Sequence, residues 1–268
     1  MHHSLLFFGD IVGSIGRKAL IQVLPALKRR FSPSLIIANV ENLAHGVGVT
    51  LKTLSELRQA GVDAFTGGNH SWGNPLGTPL FDDPVWKTRL IVPTNAGGSK
   101  NGTNIMRLPV AGGTVIVCNF LGQLFMEDRT RSAFAGFDDI YQHEDLSAPH
   151  AIIIDLHAET TAEKGAFGHF VDGRAAAVLG THTHVPTADA KILPQGTGYV
   201  TDVGRCGAHH SVVGFDPGNA IRRFAGQEKG PYVLPDKGQA EVNGICLQVD
   251  LDSHLCVHLD RIREIVDV

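Results

Sequence analysis

The 268-residue sequence predicts an α/β fold in which mixed β-sheets pack face to face and are flanked by helices. Short β-rich apolar runs alternate with Gly- or Asn-bearing loops and amphipathic stretches, the pattern of layered α/β proteins. Ala111-Gly112-Gly113 lies between two β-rich runs and is a hairpin signal, so some strands pair antiparallel. A second β-rich region near the C-terminus adds strands without intervening helices. Hydrophobic residues make up 43% of the chain and charged residues 19%, with no low-complexity stretch, so a packed core is expected throughout and residues 1–268 are read as one domain.

The elements follow in order. Leu5–Phe8 is a first strand and leads to a helix over Lys18–Arg30; Leu35–Val40 is a second strand and leads to a helix over Leu51–Ala60, with Thr50 suited to cap it. Ala64–Gly67, Leu90–Val92, Ala151–Asp155 and the small-residue run Ala175–Leu179 continue the strand series, while Ile105–Pro109 and Thr114–Asn119 flank the hairpin signal. Tyr199–Thr201, Gly244–Leu251 and Leu255–Leu259 form the last β-rich region.

Composition excludes several classes. The apolar runs fall far short of the roughly 20 residues that span a membrane, and the N-terminus lacks the features of a secretory signal. Cys118, Cys206, Cys246 and Cys256 form no C-x-x-C pair, which fits reduced thiols in a cytoplasmic protein and not a zinc knuckle or disulfide framework. A formal net charge of −4 gives no basic face for long nucleic acid, whereas a small phosphate-bearing ligand remains compatible. Homo-oligomerisation is left open.

The chemistry is positional. Five apolar runs each end in residues able to hold a metal: Leu5–Phe8 at Asp10, Leu35–Val40 at Glu41-Asn42, Ala64–Gly67 at Asn69-His70, Ile152–Leu156 at His157, and Ala175–Leu179 at His182 and His184. Ligands of open α/β sheets bind beyond the carboxyl ends of the strands, so these side chains are expected to converge. His182 and His184 lie two apart at a strand exit, where alternate side chains share a face. Oxygen and imidazole donors without thiolate suit iron, manganese or zinc. They are too many for one ion. Two ions roughly 3.5–4 Å apart, sharing one carboxylate and a hydroxide, would clamp both oxygens of an in-line displacement. With neutral Asn42 and Asn69 among the donors, such a site stays cationic and attracts a phosphate ester. Three histidine donors also imply that metal retention and activity fall together as pH drops through about 6. His2, His3, His143, His150, His169, His209, His210, His254 and His258 are read as structural or solvated.

At these residues the sequence resembles the calcineurin-like metallophosphoesterases, whose pattern is D-x-H, G-D-x-x-D, G-N-H, a lone His and G-H-x-H. Here Val12 stands where the first histidine is expected, and Glu41-Asn42 replaces the bridging Asp. Both departures match the bacterial YmdB-like branch, which Gly9-Asp10-Ile11-Val12-Gly13, Glu41-Asn42-Leu43-Ala44-His45-Gly46, Asp155-Leu156-His157-Ala158-Glu159, Asp172-Gly173-Arg174 and Thr181-His182-Thr183-His184-Val185 also resemble. The resemblance covers essentially the whole chain. It implies a four-layer metallophosphoesterase sandwich, cleavage of 2′,3′-cyclic nucleotides, and two metal ions, iron first with manganese or zinc as alternatives. It further implies Asp10, Glu41, Asn42, Asn69, His157, His182 and His184 as ligands and His70 as the catalytic acid. Gly73-Asn74 follows Trp72 where the branch is expected to carry Asp, which leaves the support of His70 or of the substrate pocket in question.

Other readings fit less well. Ile11 breaks G-x-G-x-x-G, and Gly13 to Lys18 does not supply a Walker A loop. Gly9, Gly13 and Gly16 are read either as turn formers or as an approach for phosphate to a helix N-terminus. A metal-dependent nucleotide-sensing regulator with little turnover is the alternative from another class. The donor order argues against an amidohydrolase.

Overall fold

The computed structural model describes residues 1–96, 105–126, 130–227 and 230–268. The chain builds β1 (His2–Phe8), α1 (Gly13–Phe31), β2 (Leu35–Asn39), α2 (Leu51–Ala60) and β3 (Ala64–Thr66). There follow β4 (Met106–Val110), β5 (Gly113–Leu121), α3 (Ala133–His143), β6 (His150–His157), α4 (Thr161–Phe170), β7 (Ala177–Thr181), β8 (Lys191–Ile192) and β9 (Gly198–Val200). The last elements are β10 (Gly207–Ala208), α5 (Pro217–Phe224), β11 (Gln239–Asp250) and β12 (Leu255–Asp267). One sheet has the order β10-β11-β1-β2-β3 with β12 on β11, and the other the order β4-β5-β6-β7-β9-β8. Both are mixed: β1-β2-β3 and β5-β6-β7-β9 are parallel, and antiparallel strands flank them.

Strand alternation makes the layers. Leu5 and Phe7 of β1, Leu35 and Ile37 of β2, Val115 and Val117 of β5, and Ala151 and Ile153 of β6 share the core between the sheets. Their sequence neighbours point away. Leu6, Phe8, Ile36 and Ala38 pack with Leu20, Leu24, Leu54 and Leu57 of α1 and α2. Ile116, Cys118, Ile152 and Ile154 pack with Phe137 and Phe167 of α3 and α4. Period-2 residues buried on both faces thus give the four layers, helix, sheet, sheet, helix, that the sequence predicts.

Most predicted elements are present with shifted ends. The α2 helix matches its expected bounds, and Thr50 accepts from the Thr53 N–H in a reciprocal capping box. The hairpin closes on Ala111-Gly112, with Val110 opposite Gly113 and Gly112 at φ 78°. Leu90–Val92 forms no named strand: Leu90 makes one bridge to Phe65, and Pro93 follows with no N–H to offer. The α1 helix begins at Gly13, five residues ahead of expectation. Sequence reading missed α3, α4 and α5. In α4, Gly165 and Gly168 weaken the helical signal, yet Gly168 is needed because a Cβ there would lie 2.6 Å from the Tyr199 ring. All four cysteines are free and buried, and no helix among the described residues is long and apolar enough to cross a membrane.

Of the three N-terminal glycines, Gly9 and Gly16 are packing devices and Gly13, at φ 62°, is a turn former. A Cβ on Gly9 would lie 1.8 Å from the Gly204 carbonyl oxygen, and one on Gly16 would lie 2.1 Å from that of Cys206. The Gly13 N–H donates to the Asn42 carbonyl and is not free for a phosphate. Gly9→Ala is therefore expected to destabilise the fold by ~1–3 kcal/mol, the usual range for overpacking, as read from the urea midpoint. An unchanged midpoint would show that the 203–204 segment yields without strain.

Candidate metal centre

Five parallel strands deliver the predicted donors to one place. Asp10 follows β1, Glu41 and Asn42 follow β2, Asn69 and His70 follow β3, His157 ends β6, and His182 and His184 follow β7. The side chains form two overlapping sets, Glu41–His157–His182 and Asp10–Glu41–His184, each with its ligating atoms within 4.8 Å of one another. Glu41 belongs to both.

In the first set, His157 Nε2 lies 3.1 Å from Glu41 Oε2, 2.9 Å from Asn69 Oδ1 and 3.0 Å from His182 Nδ1. One ring nitrogen carries at most one hydrogen, so it cannot satisfy three lone-pair atoms. In the second set, His184 Nε2 lies 3.0 Å from Asn42 Oδ1 and 4.0 Å from Asp10 Oδ1. Asp10 Oδ1 is buried without a hydrogen-bond partner. Surplus acceptors and an orphaned buried oxygen fit cations. Gly68 makes the approach possible, because a Cβ there would lie 2.3 Å from Glu41 Oε2 and 2.4 Å from His157 Nε2.

Partners behind the rings fix their orientation. His184 Nδ1 faces the Val213 carbonyl at 2.7 Å, which leaves Nε2 toward the site. The Thr181 hydroxyl donates to Asp155 at 2.6 Å and so accepts from His157 Nδ1 at 2.9 Å. Asp155 also accepts from Thr66 of β3 and Asn39 of β2, tying the two sheets together beneath the site. His182 Nε2 pairs with Glu159 at 3.1 Å on the solvent side.

The two histidines after β7 reach the site by another route than strand alternation. His182 and His184 have φ of 97° and 66°, left-handed conformations that are strained for non-glycine residues, and they serve different donor sets. The turn is held by buried charge. Asp202 accepts from the Thr183 N–H at 3.0 Å, from the Thr183 hydroxyl at 2.8 Å and from Lys164 Nζ at 2.8 Å, and Lys164 also donates to the Thr181 carbonyl.

The electrostatics follow from burial and mutual pairing. Burial opposes charge on His157, but Glu41 and then Asp10 and Asp155 outweigh it and push the imidazole up to about 9. Burial likewise raises Glu41, and the His157 charge overrides this to bring it down to about 2. Burial raises Asp10 against the pull of His184 and His157. Burial holds His182 down at about 3, helped by the neighbouring His157 charge.

The site opens into a cavity of about 670 Å³ whose lining includes Glu41, Asn42, His70 and His184 together with Phe215 and Tyr232. His70 is exposed there, and its backbone N–H donates to Glu41 Oε2 at 3.0 Å. Its ring belongs to neither donor set. Sequence reading missed His45 and Glu159 in this lining, the Asp155–Thr181 relay, and the Lys164–Asp202 brace. The position of Glu159 two residues after the predicted donor His157 was the available signal for it; the brace joins residues 38 apart and had none. At Gly73, a Cβ would lie 2.3 Å from Val47 Cγ1, so a side chain at this position would require Val47 to move.

Two face-to-face mixed sheets with a carboxylate, amide and imidazole cluster at their strand exits define a protein of the metallophosphoesterase class. The chain belongs to the YmdB-like protein family, whose model matches residues 6–262. It is 37% identical over 258 residues, 96% of each chain, to the 2′,3′-cyclic-nucleotide 2′-phosphodiesterase of Bacillus subtilis (strain 168). A crystal structure of a novel phosphatase from Mycoplasma pneumoniae superposes with a TM-score of 0.91 at 32% identity, covering 100% of this chain and 95% of that one. A hypothetical protein from Thermus thermophilus does so with a TM-score of 0.87 at 33% identity, covering 98% and 99%. Family and fold agree with the resemblance read from the motifs.

Proposed function

We propose that this phosphoric ester hydrolase is a dinuclear-metal phosphodiesterase acting on small phosphate esters, with 2′,3′-cyclic nucleotides as the substrate class. The observation that carries the reading is the pair of donor sets sharing Glu41. Asn69, His157 and His182 would complete one ion's shell around Glu41, and Asp10, Asn42 and His184 the other's. The oxygen and imidazole donors suit iron, manganese or zinc alike, and iron is placed first only because the resemblance to the YmdB-like branch implies it. Two divalent ions held there would supply Lewis acidity toward phosphoryl oxygens and bring the pKa of water near neutrality. Around them, the orienting hydrogen bonds to His157 and His184 hold the donors, and exposed His70 delivers a proton to the leaving oxygen. A cavity of about 670 Å³ suits a nucleotide. Buried, unpaired cysteines support a cytoplasmic setting.

The test is metal analysis of the native protein together with a panel of 2′,3′-cyclic, 3′,5′-cyclic and linear phosphodiesters. Two metals per chain and multiple turnover preferring the 2′,3′-cyclic esters are expected. Metal binding with a single slow turnover would instead favour a nucleotide-sensing regulator.

The raised His157 pKa changes the pH behaviour expected from the sequence. Below about 9 the ring carries a proton that a metal ion must displace, so affinity falls as pH falls through and below that value. His182, held at about 3, adds no competition near neutrality. Apparent metal affinity should rise about tenfold per pH unit between pH 6 and 8, with one proton released per ion entering the first set. Chelator competition at several pH values measures this, and a flat profile above pH 6.5 would refute it.

A further inference from the structure

Between Glu41 and Gly48 the chain makes a tightly pinned turn. The Gly48 N–H donates to the Glu41 carbonyl at 2.5 Å, the Gly46 N–H to that of Asn42 at 3.2 Å, and Asn42 Nδ2 returns to the Gly46 carbonyl at 3.0 Å. Arg17 donates to the Leu43 carbonyl at 2.7 Å, and Leu43 and Ala44 are buried. His45 stands at the crest with φ 57°, a left-handed conformation. Its ring is exposed, lines the same cavity as Glu41, Asn42, His70 and His184, and has no hydrogen-bond or ion-pair partner among the described residues.

Backbone geometry does not account for a histidine here. Glycine meets a left-handed position without strain and asparagine meets it readily, so the turn would form with either. What a histidine adds is an imidazole in the lining of the donor cluster's cavity, committed to nothing else. Resting on the phosphodiesterase reading, we infer that His45 is a catalytic residue that hydrogen-bonds a non-bridging phosphoryl oxygen of the substrate. It differs from His70 in the atom it serves. A contact to the phosphoryl group forms with every ester, whatever its leaving group, and persists with the product phosphate.

His45→Asn keeps a residue that tolerates the left-handed turn and removes the imidazole. The metal-loaded variant and wild type are compared in metal content, in inorganic phosphate affinity by calorimetry, and in kcat/KM on 2′,3′-cyclic AMP and bis(p-nitrophenyl) phosphate. Unchanged metal content is expected. Phosphate binding should weaken about 10–100-fold, the factor carried by one hydrogen bond to a charged group, and kcat/KM should fall by a similar factor on both esters. The assignment is overturned by unchanged phosphate affinity, by loss of metal, or by a loss confined to the ester with the poorer leaving group. If wild type hydrolyses neither ester, the phosphodiesterase reading fails, while the phosphate titration still decides the contact. Absence of phosphate binding in wild type also overturns it.

Discussion

Glu41→Ala is expected to empty both metal positions and to reduce kcat/KM by more than about 10³-fold, since several kcal/mol of Lewis-acid stabilisation would go with the ions. Glu41 is the one residue common to both donor sets, and its Oε2 lies 3.1 Å from His157 Nε2. It also receives the His70 N–H at 3.0 Å, so its loss loosens the loop after β3. Glu41→Gln separates these effects. The amide oxygen still accepts the His70 N–H, but the charge that pairs with His157 is gone. Metal content should therefore fall in both variants, with thermal stability better preserved in the glutamine form. Asn42→Ala, which touches one set only through His184, should leave the other ion in place. Elemental analysis of desalted protein gives all three stoichiometries. Two metals per chain retained in Glu41→Ala would overturn the shared-carboxylate arrangement.

How much of this was legible in the sequence depends on the range of the interactions. The α2 helix was readable because its cap, Thr50, and its apolar positions are local. The donor cluster was readable because parallel strands carry their carboxyl ends to one edge, whatever the order of the strands between. The two-residue spacing of His182 and His184 suggested one shared face. Their left-handed backbones, braced by Asp202 and Lys164 from other elements, instead send them to different donor sets. Asp155 reads as an ordinary buried strand residue until Thr66, Asn39 and Thr181 are seen to converge on it from three other strands or their ends. Leu90–Val92 shows the opposite failure: its composition suits a strand, but it has a single bridge to β3 and no continuing ladder. Local pattern marks candidates, and long-range pairing decides among them.

His70→Gln should retain both metals while kcat on a 2′,3′-cyclic nucleotide falls by about 10²–10⁴, the range for loss of a general acid. The backbone reason for retention is direct. His70 is anchored by its own N–H to Glu41, which a side-chain change leaves intact, and its ring lies outside both donor sets. Exposure in the cavity leaves that ring free to meet a leaving oxygen. A ribose alkoxide is a poor leaving group and departs with a proton, whereas p-nitrophenolate departs without one. The loss on bis(p-nitrophenyl) phosphate should accordingly be much smaller, and the ratio of the two losses measures the proton's contribution. This is the reverse of the pattern expected for His45, whose phosphoryl contact is common to both esters. Equal losses in His70→Gln would reduce His70 to a positioning role, and loss of metal would make it a ligand. Either outcome removes the acid from His70 and directs the search to Glu159, the other ionisable group in the cavity lining that contacts a member of the cluster.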